Sequence, residues 1–249
     1  MATVLVIRKD DRFSSTLREA GFDVVNLELV ETKPLEDLSE LRGKLSKLRD
    51  YDGVFFTSPV AAEIFVRERN DSNGFHGGVY VLGRRAQSVL ESSGLDLKSS
   101  AHANTAEEML TEFGDDEFSG KRFLFVRGET SLRTIPESLS GLAIVDEVAV
   151  YSTEALEIDA RNFDKIRSRL CSGGFDIICF FSPSGVERFA ELFGEVARNV
   201  KTAAIGTTTA DAAKQAGFKV DFISPRSNAD DFARGLIEHV RQAVSQSRK

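Results

Sequence analysis

Two segments place hydroxyl side chains where parallel α/β proteins often bind ligands. FFTSP (55–59) and FFSPSG (180–185) each put a serine after a short apolar run and directly before a proline. Serine before proline is typical of a helix N-terminus, because the serine oxygen can cap a backbone N–H and proline fits the first turn. Each segment is therefore predicted to end a buried strand and begin a helix. The hydroxyl residues of these turns are Thr57, Ser58, Ser182 and Ser184.

A second pair of segments ends a strand with glycine. VLGRRA (81–86) and AIGTTTA (204–210) each lead from an apolar run through a glycine into a helical pattern. In a doubly wound parallel sheet, the loops that follow the strands share the edge at which ligands bind. Free N–H groups at helix N-termini attract anions there, and arginines add positive charge. The candidates at this edge are Arg8, Arg84, Arg85, Arg127, Gly206, Thr207 and Thr209.

Two interpretations of these residues stay open at this point. Each serine could only cap its helix, which contributes about 1 kcal/mol of stability, and each arginine could be an ordinary solvated side chain. Four helix N-termini at sheet edges instead favour a large ligand with several carboxylates or phosphates over a small neutral one.

The sequence offers no common catalytic or metal-binding motif. Two cysteines stand eight residues apart without a CxxC motif, and the three histidines are scattered, so neither a disulfide scaffold nor a zinc site is expected. GETSLR (128–133) and GTTTAD (206–211) lack the GK[ST] ending of a phosphate-binding P-loop. No histidine closes a strand-to-helix turn, which argues against a Ser/His/Asp triad.

Charge and hydropathy exclude further classes. The chain has 32 Lys and Arg against 39 Asp and Glu, a formal charge of −7, which argues against a nucleic-acid binder that relies on a basic surface. The longest apolar stretches are far shorter than the roughly 20 residues of a bilayer-spanning helix. ATVLVIRKDD at the N-terminus lacks the basic start and long apolar core of an export signal. We therefore expect a cytoplasmic protein with no nucleic-acid or membrane partner.

The elements that must position these residues form an internal repeat. YDGVFFTSPVAAEIFVRE, from Tyr51, aligns with FDIICFFSPSGVERFAEL, which begins 124 residues later (175 − 51) at Phe175. VLVIR near the N-terminus resembles FLFVR in the middle of the chain. Short apolar runs alternate with amphipathic helices, which is typical of parallel α/β sheets. The 249 residues are enough for two related domains of about 120 residues each.

The repeat leaves open how the pieces combine. If 1–33 completes 50–112, the domains are sequential; if 121–153 completes 50–112, the first domain is discontinuous. The chain would then cross between domains through 27–35 and 148–156, which resemble each other and could pair as a two-stranded ribbon. Such a ribbon would act as a hinge.

A leucine stripe lies between the first two pieces. Leucines recur at steps of three and four, which predicts an amphipathic helix with one apolar face: Leu35, Leu38, Leu41, Leu45 and Leu48. We expect this face to pack in a core rather than against a partner.

The combined pattern resembles the uroporphyrinogen-III synthase family over nearly the whole chain. The pieces that carry the resemblance are FFTSPVAAEIF, the strand–Gly–helix segment at Gly83, GKRFLFVRGET (120–130), VDEVAVYSTEA (145–155), FFSPSGVERF, and AIGTTTADAAKQAG followed by NADDF. It implies two flavodoxin-like, doubly wound parallel-sheet domains joined by a two-stranded hinge ribbon. Domain 1 would comprise 1–33 plus 157–249 and domain 2 would span 34–156, with 27–35 and 148–156 as linker strands.

The resemblance also implies an activity. The substrate would be hydroxymethylbilane, a linear tetrapyrrole with acetate and propionate groups, and the product uroporphyrinogen III, formed with inversion of the last pyrrole ring and loss of water. This lyase of tetrapyrrole and haem biosynthesis would need no metal and no organic cofactor, and we expect a monomer. A competing hypothesis is a non-catalytic, two-lobed binding or sensor protein for an anionic small molecule. A third is a regulatory module that binds a partner through the leucine-rich helix.

Site residues follow from the motifs that match. The resemblance makes Tyr151 the catalytic tyrosine that assists departure of the substrate hydroxyl. In GRRAQ, Ala86 and Gln87 replace the family's usual Thr-Ala, so this loop lacks the threonine hydroxyl. Arg84 or Arg85 could contact a substrate carboxylate in its place. The expected substrate-binding residues are Arg8, Thr57, Ser58, Arg84, Arg127, Gly128, Ser182, Ser184, Gly206, Thr207 and Thr209.

Overall fold

A computed structural model describes residues 2–69, 75–99, 103 and 105–246. The strands are β1 (Thr3–Ile7), β2 (Asp23–Asn26), β3 (Val30–Pro34), β4 (Gly53–Phe56), β5 (Gly78–Val81), β6 (Leu97–Ser99), β7 (Arg122–Gly128), β8 (Ile144–Ala155), β9 (Ile177–Phe180), β10 (Lys201–Ala204) and β11 (Val220–Ile223). The α-helices are α1 (Arg12–Glu19), α2 (Ser39–Leu45), α3 (Pro59–Glu68), α4 (Arg84–Glu91), α5 (Ala106–Phe113), α6 (Asp115–Phe118), α7 (Thr134–Ser138), α8 (Ala160–Cys171), α9 (Pro183–Ala197), α10 (Thr207–Gln215) and α11 (Ala229–Gln246), and a 3₁₀ helix covers Leu48–Asp50.

The chain divides into two compact units. Unit 1 combines Met1–Glu31 with Glu154–Lys249, and unit 2 is the continuous segment Thr32–Thr153. Unit 1 is therefore discontinuous, because β1 and β2 share a sheet with strands from the C-terminal part of the chain.

Unit 1 is built on a parallel sheet with the strand order β11-β10-β9-β1-β2. Taken in sequence order, this is the 2-1-3-4-5 arrangement of flavodoxin-like doubly wound folds. Most residues of the inner strands β1, β9 and β10 are buried, as expected where helices cover both faces of a sheet. One face packs Leu5 and Phe180 against Phe189 of α9, and the other packs Val4 against Phe13 of α1.

Unit 2 has the same arrangement with the chain entering at a different strand. Its sheet runs β3-β8-β7-β4-β5-β6, and β8, β7, β4, β5 and β6 pair in parallel. If β7 is counted first, these five strands again follow the 2-1-3-4-5 order. The fold-class prediction of doubly wound parallel sheets is confirmed in both units.

The strand β3 extends the sheet of unit 2 beside β8. The Leu35 N–H donates to the Val150 carbonyl at 3.0 Å, and the Leu156 N–H donates to the Leu29 carbonyl at 2.8 Å. From one bond to the other, the residue number rises by six on one stretch and falls by six on the other, as it does in an antiparallel pair. These bonds join the stretches 27–35 and 148–156, and the role of this ribbon as a hinge stays a prediction.

The leucine stripe packs in the core of unit 2. Leu38, Leu41, Leu45 and Leu48 are buried among side chains of β4, α3 and β7, which confirms the core interpretation. The helix is shorter than the stripe predicted, because the Asp37 Oδ1 accepts the Ser39 N–H at 2.8 Å and α2 begins only at Ser39.

Candidate functional site

The strand orders identify the loops where each unit is built to hold a ligand. Ligands of doubly wound sheets bind beyond the carboxyl ends of the strands, where the strand order reverses. In unit 1 this reversal lies between β1 and β9, and in unit 2 between β7 and β4. The substrate-binding residues expected from the sequence follow strands or lie at strand ends, whereas Tyr151 lies inside β8 and pairs with Gly128, the last residue of β7.

Arg8 follows β1 and reaches the neighbouring loop after β9. Its Nη2 lies 2.8 Å from Asp11 Oδ2, and its guanidinium carbon lies 4.4 Å from the centre of the Phe181 ring. Asp11 also caps α1 by accepting the Phe13 N–H at 3.0 Å. The structure therefore holds the Arg8 guanidinium across the reversal point of unit 1, through Asp11 and Phe181.

Ser182 and Ser184 come together at the start of α9. Ser182 Oγ accepts the Gly185 N–H at 3.1 Å and lies 3.1 Å from Ser184 Oγ. Pro183 occupies the first helical position, so the predicted N-cap is confirmed.

Ser58 occupies the equivalent position in unit 2 but does not form the capping hydrogen bond that Ser182 forms. It is the N-cap residue of α3 and Pro59 follows it, but its side chain accepts no capping hydrogen bond. The interpretation of Ser58 as a residue that only caps a helix is therefore wrong. Thr57 precedes it and is partly buried.

The turn between β10 and α10 is closely packed. Gly206 is the N-cap of α10, and a Cβ at this position would clash with Ser227 Oγ. Thr209 is 4% exposed and Thr207 is exposed. Thus the Gly-Thr-Thr-Thr turn of unit 1 presents two exposed hydroxyl residues, Thr207 and Thr208, and one buried one, Thr209.

Arg84 begins α4 after β5, where Gly83 has a φ of +88°. Arg84 and Arg85 are exposed, and the first turn of α4 contains no acidic residue. Positive side chains oppose the helix dipole at this end, so these two arginines do not stabilise α4. They are available to an anion instead.

Tyr151 and Gly128 are in direct contact. They are register partners where β7 and β8 shift by one residue, and the Glu129 N–H donates to the Tyr151 carbonyl at 2.9 Å. A Cβ on Gly128 would lie 2.5 Å from the Tyr151 ring, so the ring rests on the glycine backbone. Tyr151 is partly buried, and within the described residues its hydroxyl forms no hydrogen bond.

Arg127 is engaged within the protein. Its Nε lies 2.7 Å from Glu147 Oε2, and its Nη1 donates to the carbonyls of Gly128 and Glu129 at 2.8 Å each. Glu147 also accepts two hydrogen bonds from Arg133. No role for Glu147 was expected from the sequence, although it lies in the VDEVAVYSTEA segment four residues before Tyr151.

The pKa of Glu147 lies below its ordinary value. Burial raises the pKa of this carboxyl, but the hydrogen bonds from Arg133 and the charge of Arg127 lower it by more. Glu147 is therefore ionised at neutral pH and balances two cations at the end of β7.

Neither a metal-binding cluster nor a membrane-spanning helix occurs among the residues that the structure describes. Among residues 2–69, 75–99, 103 and 105–246, no group of three His, Cys, Asp or Glu side chains is arranged to hold a metal ion. In the same part of the chain, no helix combines the length and the hydropathy that crossing a membrane requires.

Comparison with known proteins gives one consistent result. A family model described as uroporphyrinogen-III synthase HemD matches residues 11–234. A uroporphyrinogen-III synthase of Chlorobaculum parvum is 29% identical over 255 residues, which cover 97% of this chain and 100% of that protein. One from Schizosaccharomyces pombe is 23% identical over 253 residues, with coverages of 95% and 97%.

Solved structures show the same fold. A mutant uroporphyrinogen III synthase of Thermus thermophilus superposes with a TM-score of 0.69 at 16% identity and covers 97% of this chain and 100% of its own. The enzyme from Helicobacter pylori gives a TM-score of 0.61 at 16% identity, with coverages of 96% and 99%.

Proposed function

This chain belongs to the uroporphyrinogen-III synthase family, and we propose that it closes hydroxymethylbilane to uroporphyrinogen III as a cofactor-independent lyase. The observation that carries the proposal is the family match from residue 11 to residue 234, which includes elements of both units. A match of this extent is not expected from a shared fold alone, because flavodoxin-like domains serve many unrelated functions.

The first step of the proposed reaction breaks the C–O bond of the hydroxymethyl group. Tyr151 donates the proton of its hydroxyl to the departing oxygen, which leaves as water, while a pyrrole nitrogen supplies the electron pair and becomes part of an azafulvene cation. The phenolate then regains a proton from solvent. The unpartnered hydroxyl of Tyr151 and the anchoring of its ring on Gly128 support this role, because a general acid must be both free to donate and fixed in place.

The remaining steps form and break carbon–carbon bonds of the substrate. The last ring attacks the cation through its substituted carbon to form a spiro intermediate, and the bond from that carbon to its original bridging carbon then breaks. Reclosure through the unsubstituted carbon inverts the ring, and this carbon loses its proton to solvent, which balances the proton that the phenolate regains. Because the substrate stabilises its own cation, the protein contributes mainly by holding a folded conformation that favours this route over direct closure.

Binding of the acetate and propionate groups is assigned to the carboxyl edges of the sheets. Ser58 leaves the N-terminus of α3 without a side-chain cap, and Arg84 and Arg85 stand exposed at the N-terminus of α4. Free backbone N–H groups and guanidinium groups both suit carboxylates. The cytoplasmic location and the monomeric state stay predictions.

The test is to incubate the protein with freshly prepared hydroxymethylbilane and to separate the uroporphyrin isomers after oxidation. We expect isomer III to form at a rate proportional to protein concentration, both before and after dialysis against a chelator. If only isomer I forms, at the spontaneous rate, the proposed enzymatic function is wrong. If the chelator abolishes formation of isomer III, the cofactor-independent part of the proposal is wrong.

A further inference from the structure

We propose that Glu147 is a positioning residue that holds Tyr151 in place through residues 128–133, which comprise the last residue of β7 and the connection to α7 and are called the β7–α7 loop below. This inference rests on the proposed function, since it takes Tyr151 as the proton donor. Glu147 itself is not required to touch the substrate.

A single carboxylate joins the two ends of this loop. Glu147 Oε2 lies 2.7 Å from Nε of Arg127, which directly precedes the loop. Glu147 Oε1 accepts from Nε and Nη2 of Arg133, the last loop residue, at 3.2 and 2.7 Å. The side chains of Glu147 and Arg127 are 18% and 17% exposed, so solvent screens this ion pair less than it would an exposed pair.

The orientation of Arg127 is passed on to the loop backbone. Its Nη1 donates to the carbonyls of Gly128 and Glu129, each at 2.8 Å. Ser131 Oγ accepts the Gly128 N–H at 2.9 Å. The guanidinium thus holds the same peptide groups that contact Tyr151, and Glu147 fixes the guanidinium.

Tyr151 has little freedom to move independently of these groups. Its carbonyl accepts the Glu129 N–H, and its ring touches Gly128 so closely that a Cβ there would lie 2.5 Å from two ring carbons. Proton donation needs the two heavy atoms within about 2.6–3.2 Å of each other. A displacement of about 1 Å can lower a rate up to about a hundredfold.

The first experiment compares Glu147→Gln with Asp146→Asn. Asp146 is the preceding residue of β8 and is also ion-paired with an arginine, Arg122, at 2.7 Å. Since successive strand residues point to opposite faces, this control removes a similar ion pair without touching the loop. We expect Glu147→Gln to lower kcat about tenfold with little change in KM, and Asp146→Asn to keep kcat within about twofold of the parent. Equal losses of kcat in the two variants would overturn the proposal.

The second experiment asks whether Glu147 acts through Tyr151. In a Tyr151→Phe background, Glu147→Gln is expected to lower kcat much less than it does in the parent, because the group it positions is already gone. Arg133→Gln removes one of the two arginine contacts of Glu147, at a residue whose side chain is 60% exposed. This variant should fold normally and show a smaller effect with the same dependence on Tyr151. Effects that simply multiply in the double variants would overturn the proposal.

A third measurement does not depend on activity. Amide hydrogen exchange at Gly128, Glu129 and Ser131 should be faster in Glu147→Gln than in the parent, and unchanged in Asp146→Asn. Unchanged amide exchange in Glu147→Gln would show that Glu147 does not hold this loop, even if no enzyme activity can be measured. Faster amide exchange in Glu147→Gln, together with no isomer III from the parent protein, would instead refute the proposed function while supporting the role of Glu147 in holding the loop.

Discussion

At the level of single residues, the candidate site depends on close approach between side chains and glycine backbone. Gly128 contacts the Tyr151 ring, and Gly206 contacts Ser227. Neither glycine has a positive φ, so these positions need glycine for space and not for backbone conformation. In both places, the neighbouring side chain would have to move if a methyl group were added.

Tyr151→Phe tests the proton donor itself. Removal of the hydroxyl leaves the ring on Gly128, so we expect an unchanged fold and thermal unfolding close to that of the parent. General acid catalysis contributes about 10²–10⁴-fold, and we expect kcat for isomer III to fall by at least about tenfold. A kcat equal to that of the parent would remove Tyr151 from the mechanism.

Gly206→Ala tests close packing at the α10 turn. The added methyl group meets Ser227 Oγ, and overpacking of this kind costs about 1–3 kcal/mol of unfolding free energy. The second change Ser227→Ala should restore most of this loss. Gly43→Ala is the control, because Gly43 lies in α2 with no atom within 4 Å of the added Cβ, and there alanine should stabilise by about 0.5–1 kcal/mol. Urea unfolding of the four proteins measures these differences, and a double variant no more stable than Gly206→Ala would contradict the explanation.

At the level of helices and strands, the repeated sequences do not give repeated contacts. The segments before α3 and α9 both read Ser-Pro after a buried strand. Only Ser182 turns its hydroxyl back to cap its helix, whereas the hydroxyl of Ser58 is not used in this way. The same local sequence thus leaves one helix N-terminus of unit 2 open to a ligand.

This difference predicts unequal costs for the same substitution. Ser182→Ala removes a cap and should lower the unfolding free energy by about 1 kcal/mol. Ser58→Ala removes no cap, so the unfolding free energy should fall by clearly less, while KM for hydroxymethylbilane rises. Chemical denaturation and steady-state kinetics of both variants measure this. Equal losses of stability would show that Ser58 also caps its helix in solution.

Asp146, near the start of β8, connects this strand to three other parts of unit 2. Its Oδ2 accepts from the Tyr51 hydroxyl at 2.7 Å and from Arg122 at 2.7 Å, and it lies 3.6 Å from Lys44 Nζ of α2. Burial raises the pKa of Asp146, but these donors and cations lower it by more, so that the pKa lies below its ordinary value.

Acid should therefore weaken this junction in a defined direction. A carboxyl with a lowered pKa in the folded state stabilises it above the ordinary aspartate pKa, and this stability is lost as pH falls through the folded-state pKa. We expect the parent to lose stability between about pH 5 and pH 2 more steeply than Asp146→Asn. Thermal unfolding across this range measures the slopes. If stability fell equally steeply with pH in the parent and in Asp146→Asn, Asp146 would not be the group responsible for the loss.

At the level of the whole molecule, the two units share one strand order but differ in chain continuity. Unit 2 is a single segment, whereas unit 1 places β1 between β9 and β2. Without the N-terminal segment, β9 loses its neighbour β1 and only β9, β10 and β11 of the sheet remain. The repeat in the sequence therefore does not correspond to two independent halves of the chain.

Separate expression of the units tests this organisation. The segment 32–153 should fold alone and unfold cooperatively on heating, because its sheet and core are complete. The segment 154–249 should stay largely unfolded, since the central strand β1 is missing. Circular dichroism and thermal unfolding of the two fragments measure this. A cooperative transition of 154–249 would show that β1 is dispensable.

Much of the fold could be predicted, and less of the site. The alternation of apolar runs and amphipathic helices identified parallel α/β sheets, because burial on both faces of a strand and on one face of a helix leaves distinct patterns. Ser182 could be predicted as a cap since capping is local. Glu147, Asp11 and Phe181 could not be identified as neighbours of site residues, because ion pairs and ring contacts across strands leave no periodic pattern in a single sequence.

The sequence by itself determined the family, the fold class and the residues that end each strand, since these depend on local patterns of hydropathy, turn chemistry and motif order. The resemblance already implied that 1–33 belongs with 157–249. Only the tertiary structure decided that β1 pairs between β9 and β2, that Tyr151 rests on Gly128, and that Arg127 is held by Glu147. Each of these contacts joins residues that are distant in sequence or lie on different strands. Their formation is governed by strand order and register, which are set by the packing of the whole unit.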